Sequence, residues 1–339
     1  MIEIGIGYVP LVDAAVVIAA AERGFAERRG VAIRLEREAS WATLRDKLVL
    51  GHVDAAHLLA PLAIATSIGL GPGPALPLTA PFTLSLNGNA LTLSVALWEA
   101  MGRPDGSLDR VKAAFRRVGL ARAAGGQPLI LATVFPYSMH TYLLRRFIAG
   151  SGLDPDRDVR ITVVPPSYSA DALAAGSIDG FCVGAPWNSV AVAAGAGRIA
   201  AFGLDLIPDA PEKVLAWPRG RMPDRAALSL VAALREAAEW CAAPGNRPDL
   251  AALLAQPRHL ALPAPMILRT LEGRLALGPG EEDRRDPAYL RIGRDIGRPE
   301  PDQAERVLSE MTKAGHLAAT QATLAAAREV FDPSTFDCI

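Results

Sequence analysis

The chain has 339 residues, 50% of them hydrophobic and 21% charged, which suits about two folded domains and excludes a disordered chain. Lys plus Arg number 35 against 36 Asp plus Glu, so the formal net charge of −1 excludes the basic footprint of a nucleic-acid binder. Cys182, Cys241 and Cys338 stand far apart with no CxxC pair, which reads as buried or free thiols in a reducing compartment.

Along the chain, strand and helix signals alternate. Ile2–Tyr8 reads as a first strand. Residues 13–27 read as a helix with Asp13 as candidate N-cap and Gly30 near its stop. A strand at 31–35, a short helix at 41–50 ended by Gly51 and a strand at 53–58 follow. Residues 58–98 carry no charged residue or histidine, a length that invites a membrane span. Pro61, Pro72, Pro74, Pro77 and Pro81, with Gly69, Gly71 and Gly73, break any spanning helix, so buried helix, loop and core strand are expected there.

A strand around 82–86 leads to Asn87-Gly88, a tight-turn signal. Strands are predicted at 91–95, 129–133, 159–164 and 178–183, and helices at 107–119, 138–150 and 170–176. Amphipathic helices are expected at 226–242, 303–313 and 318–330. This order predicts parallel α/β sheets, whose ligands sit at the carboxyl ends of strands. Residues 87–89 and 184–188 are the expected crossings between two lobes, one built from 1–86 plus 188–339 and the other from 87–187.

The start MIEIGIGYVP places Glu3 where a secretory signal needs positive charge. A cytoplasmic protein is expected, or a periplasmic one whose signal has been removed. Enzyme motifs are missing: there is no GxxxxGK[ST] loop, no full GxGxxG fingerprint and no GxSxG elbow. Ser138 and His140 diverge on a helix. His52 and His57 fit no familiar zinc spacing and read as surface or core histidines. Cys182 on a buried strand reads as an inert thiol. No enzymatic activity, metal or cofactor is expected.

Four segments carry a resemblance: EASWATLRD at 38–46, LNGN at 86–89, FPYSMH at 135–140 and IDGFCVGAPWN at 178–188, joined by PEK at 211–213. Together with AGSGLDPDRDVRITVVPP at 149–166, they resemble the nitrate/bicarbonate-binding family of two-lobed substrate-binding proteins. The resemblance implies an α/β, type II periplasmic-binding-protein-like fold with the ligand cleft between its lobes. It implies a nitrate pocket of tryptophan, amide, histidine and lysine, which fall on Trp41, Asn89, His140 and Lys213. Within the family, the chain is most similar to the cytoplasmic nitrate/nitrite sensor of nitrate assimilation, whose partner is an RNA-binding antiterminator. The other branch comprises the substrate-binding proteins of nitrate, nitrite or bicarbonate ABC transporters.

The chemistry of these residues agrees with an anion. Lys213 supplies charge, while His140, Asn89 and Trp41 supply donors. The start of the His140 helix adds backbone N–H groups. The set contains no carboxylate. Taken singly, Trp41 reads as a core aromatic, Asn89 as a turn residue, His140 as a capping or core histidine and Lys213 as a solvated lysine. Only the joint pattern moves them to one pocket. Trp187 and Asn188 read as structural. The family shows glutamine where Asn89 stands and glutamate where Ala185 stands, and the loss of that carboxylate argues against a calcium-assisted bicarbonate site.

Overall fold

The computed structural model describes residues 1–71, 73–105 and 107–339; Pro72, one of the expected helix breakers, lies outside the described residues. The chain opens with β1 (Ile2–Tyr8), a 3₁₀ turn at Val12–Ala14 and α1 (Ala15–Glu22), followed by β2 (Val31–Arg37) and α2 (Trp41–Leu50). β3 (Ala55–Leu59), α3 (Ala60–Ser67) and β4 (Leu78–Asn87) complete the run to the first crossing. β5 (Asn89–Ser94), α4 (Val95–Ala100), α5 (Leu108–Ala124), β6 (Leu129–Thr133) and α6 (Met139–Gly150) come next. β7 (Val159–Val163), α7 (Ser169–Ala174), β8 (Gly180–Gly184), α8 (Trp187–Ala193) and β9 (Gly197–Phe202) lead to β10 (Pro211–Pro218). The C-terminal part is mostly helical, including Asp224–Ala242, Pro301–Lys313 and Gln321–Val330.

Two mixed sheets carry this architecture. The first contains β4-β10-β3-β1-β2, with Leu290–Arg291 pairing outside β4, and the second runs β7-β6-β8-β5-β9. β1 is parallel to β2 and β3, whereas β10 returns antiparallel between β3 and β4. The fold is thus the expected α/β two-lobed, periplasmic-binding-protein-like one. Asn87 (φ 61°) ends a strand of one sheet, and Asn89 begins a strand of the other. The Asn-Gly turn therefore joins the two sheets.

The sheets are mixed rather than parallel, because β10 and β5 run antiparallel to their neighbours, and two further details depart from expectation. The return crossing falls at 203–210, not at 184–188, because β9 pairs antiparallel with β5 and extends the second sheet. Residues 184–188 instead lie against the first lobe: Val12 N donates to the Ala185 carbonyl at 3.0 Å, and Trp187 Nε1 donates to the Pro10 carbonyl at 3.2 Å. Asn188 bonds Val183 O and Thr92 Oγ1, so both residues serve the packing. The second departure is Asp13. It caps no helix, because α1 starts only at Ala15 and the Asp13 carboxylate turns inward. The uncharged stretch holds the buried α3, β4, β5 and the start of α4, and no helix among the described residues is long and apolar enough to cross a membrane.

Local signals set the helices that matter. Ser40 Oγ accepts from Thr43 N at 3.1 Å, which starts α2 on Trp41; Gly51 ends it at φ 77°. Ser138 Oγ accepts from Thr141 N at 3.1 Å and starts α6 one residue before His140. α2 packs directly over β1, where a Cβ on Gly7 would overlap Leu44 Cδ1. Overpacking of this kind costs about 1–3 kcal/mol. Gly7→Val is therefore expected to lower the melting temperature and to disturb Trp41 at the head of α2, which thermal denaturation and tryptophan fluorescence would read.

Candidate functional site

All four residues singled out in the sequence converge between the two sheets. Trp41 heads α2 and Lys213 stands on β10, both from the first sheet's lobe. Asn89 opens β5 and His140 lies in the first turn of α6, both from the second. None is more than 1% exposed. The site lies where β1, β3 and β6 end, the place that parallel strands favour for ligands.

Three further residues complete it. Lys213 Nζ lies 3.1 Å from Asp13 Oδ2 and 2.7 Å from Glu212 Oε2. The other Asp13 oxygen lies 2.9 Å from His57 Nε2. Glu212 Oε1 accepts from Asn89 Nδ2, and Glu212 Oε2 faces His140 Nε2 at 4.0 Å. The Trp41 ring centroid is 5.5 Å from that of His57 and 5.4 Å from Lys213 Nζ. The expectation of a set without carboxylates is thus corrected: two carboxylates meet the lysine.

Neither carboxylate was legible as a site residue. Asp13 precedes a helix, where an N-cap is the ordinary reading. Glu212 neighbours Lys213 on a strand, where alternation sends adjacent side chains to opposite faces. The register of β10 against β4 shifts on both sides of Lys213, and this irregularity accompanies the approach of the Glu212 and Lys213 side chains. The only available signal was Glu212's place inside the PEK motif.

Burial and charge set the protonation states. Burial works to raise the Asp13 pKa, but Lys213 and His57 outweigh it and hold the carboxyl at about 2. Burial dominates at Glu212 and, against the pull of Lys213, lifts it to about 7. Burial disfavours the Lys213 ammonium, yet the two carboxylates more than offset this and raise its pKa. Burial keeps His57 and His140 neutral, most strongly His140, which also feels Lys213. Burial pushes the Cys182 thiol up, so it is no ready nucleophile.

Several buried polar atoms here make no hydrogen bond among the described residues: Trp41 Nε1, His57 Nδ1, Asn89 Oδ1, and Nδ1 and Nε2 of His140. Such atoms are rare in folded proteins. Gly184 packs closely beside them: an added Cβ would stand 3.2 Å from Leu11 Cδ2, 3.4 Å from Asn89 Oδ1 and 3.6 Å from His140 Nε2, so a side chain there would crowd the site. The arrangement offers donors, one ammonium and two carboxylates to a small polar ligand. Among the described residues no cluster of three or more His, Cys, Asp or Glu side chains is placed to hold a metal ion.

Comparison with known proteins decides the family, since the model of the NMT1-like family matches residues 2–255. The chain belongs to the NMT1-like family. It is 36% identical over 267 residues to the bicarbonate transport ATP-binding protein CmpC of Synechococcus elongatus. That match takes in 77% of this chain but only 39% of CmpC, and this chain has no phosphate loop. The nitrate/nitrite binding protein NrtA of Synechococcus elongatus is 30% identical over 298 residues, covering 85% of this chain and 66% of NrtA. The crystal structure of the periplasmic nitrate-binding protein NrtA from Synechocystis superposes with a TM-score of 0.91 at 26% identity, covering 99% of this chain and 87% of that one.

The depressed pKa of Asp13 makes a stability prediction. A folded-state pKa of about 2, against an ordinary 3.8, gives stability that is present above pH 3.8 and lost as the pH falls towards 2. Asp13→Asn is expected to cost about 2 kcal/mol at pH 7. The deficit should shrink below pH 3.8, as read by urea unfolding across that range.

Proposed function

We propose that this NMT1-like protein is the substrate-binding component of an importer for nitrate or nitrite. The observation that carries the reading is the meeting of Trp41, Asn89, His140 and Lys213 in one buried site between two lobes. These are the residue types expected of a nitrate pocket, and the likeness to NrtA supports the ligand class.

Nitrate is planar, monovalent and a weak acceptor, so a site for it needs fixed donors and a nearby positive charge. The Trp41 indole N–H, one N–H of neutral His140, the Asn89 amide and the Lys213 ammonium are such donors. Burial strengthens each of them electrostatically. The site residues are inaccessible with the lobes together, so the anion would enter when the lobes part and be held when they meet. Such closure is a population shift driven by the anion's preference for the closed form.

The names of the relatives favour transport over the sensor with its antiterminator partner, which would use the same pocket. A periplasmic setting, which is that of NrtA from Synechocystis, goes with the transport reading. A bicarbonate pocket has the likeness to CmpC in its favour, and the donor set and Ala185 against it.

Calorimetric titration with nitrate, nitrite and bicarbonate, the last with and without calcium, tests the proposal. Nitrate or nitrite is expected to bind, and at a hundredfold excess over Kd to stabilise the fold by about 2.7 kcal/mol. Lys213→Met should weaken binding about 10- to 100-fold, the worth of one charge-assisted hydrogen bond. Response to bicarbonate alone would move the protein to the bicarbonate branch, and silence towards all three would overturn the reading.

A further inference from the structure

We propose that the Glu212 carboxylate competes with the anion for its seat and yields it on taking up a proton, so that the protein captures one proton with each anion. This inference rests on the anion-binding reading above and concerns how that site is controlled.

The geometry carries it. Glu212 engages three of the four expected ligand-binding residues. One oxygen accepts from Asn89 Nδ2, and the other accepts from Lys213 Nζ at 2.7 Å and faces His140 Nε2 at 4.0 Å. A carboxylate is a planar, trigonal oxyanion, like nitrate. Ionised Glu212 therefore makes the contacts that the ligand would need. Among the described residues, His140 spends neither ring nitrogen on a protein hydrogen bond, so its N–H is left for a ligand.

The charge count points the same way. Asp13, 3.1 Å from the ammonium and 2.9 Å from His57, is enough to neutralise Lys213. Ionised Glu212 is then the excess negative charge of a buried site, and a monovalent anion would make a second. Groups facing Glu212 come from every side: Asn89 on β5, His140 on α6, Lys213 on β10, Asp13 after β1 and Cys182 on β8. His57 on β3 acts through Asp13. Burial lowers the pKa of both histidines and raises that of the Cys182 thiol, whereas it lifts Glu212 to about 7.

The reaction balances simply. Ionised Glu212, one proton from solvent and one anion give protonated Glu212 with the anion bound. The new O–H can donate to the anion, and Lys213 keeps Asp13 as counter-ion. Raising the pH removes the proton and restores the competitor. Affinity should therefore be greatest below about pH 7 and fall above it.

The test uses nitrate and nitrite, both fully ionised from pH 6 to 9, titrated calorimetrically into the whole chain in buffers of different ionisation enthalpy. For the wild type, Kd is expected to be level below about pH 7 and to rise about tenfold per pH unit above it. About one proton should be taken up per anion at pH 8.5. Glu212→Gln keeps the shape and removes the charge, so its Kd should stay level and be at least about tenfold lower than wild type at pH 8.5. Binding that is independent of pH without proton uptake would overturn the competition while leaving the anion reading intact. A pH slope retained by Glu212→Gln would also overturn it. Should that variant not fold, the proton count on the wild type decides alone. Heat from neither anion at any pH, in wild type or variant, would overturn the nitrate/nitrite reading and this inference with it.

Discussion

A lysine ammonium removed from water organises this molecule. Burying an unpaired charge costs many kcal/mol, so Lys213 can lie inside only where counter-charges are already placed. Asp13 comes from the turn after β1 and Glu212 from β10 itself, while His57 on β3 holds Asp13 from behind. These contacts tie three elements of the first lobe to one point. Through Glu212 and Asn89 the same cluster reaches the first residue of β5, in the other lobe. The ion pairs thus lie within the first lobe, and the Asn89 hydrogen bond to Glu212 links them to the second when the lobes lie together.

The site's chemistry follows from that constraint. One cation faces two carboxylates and two histidines whose charging burial opposes, so the site is a polar network with hydrogen-bonding capacity left over. The leftover groups are on Trp41, Asn89 and His140, which approach from both lobes. A small oxyanion would satisfy the Trp41 indole N–H and one ring N–H of His140, whereas the leftover Asn89 Oδ1 is an acceptor. Other contacts also cross between the lobes: Val12 N to Ala185 O, Trp187 Nε1 to Pro10 O, and Arg146 to Glu310 at 2.8 Å. Opening the cleft must break or stretch these, so the closed form is held by weak polar contacts at its rim and by the ion cluster at its centre.

Much of the frame was legible from local signals. Ser40 and Ser138 start α2 and α6 because a hydroxyl in the N-cap position satisfies a backbone N–H, and both helices begin where residue type predicts. Trp41 and His140 follow directly from those starts. Asn89 was legible as the residue past an Asn-Gly turn, and that turn joins the two sheets. The position of the second crossing was not legible. Gly197–Phe202 pairs with a strand about a hundred residues earlier, and such pairing leaves no mark in a short window.

Sequence alone determined the alternation of strand and helix and the two-lobed class, and motif likeness singled out four residues, Trp41, Asn89, His140 and Lys213, which the fold brings together. Apolar periodicity, capping residues and motif likeness are local properties of a chain. Tertiary structure alone decided that Asp13 turns away from its helix and that Glu212 shares a space with Lys213. It also decided that His57 is a supporting partner rather than a plain core histidine. These outcomes depend on where a charge separated by some two hundred residues is buried, and on an irregular strand register that overrides simple alternation. The need to neutralise a buried lysine is a condition on three-dimensional neighbours, and no short stretch of sequence carries it.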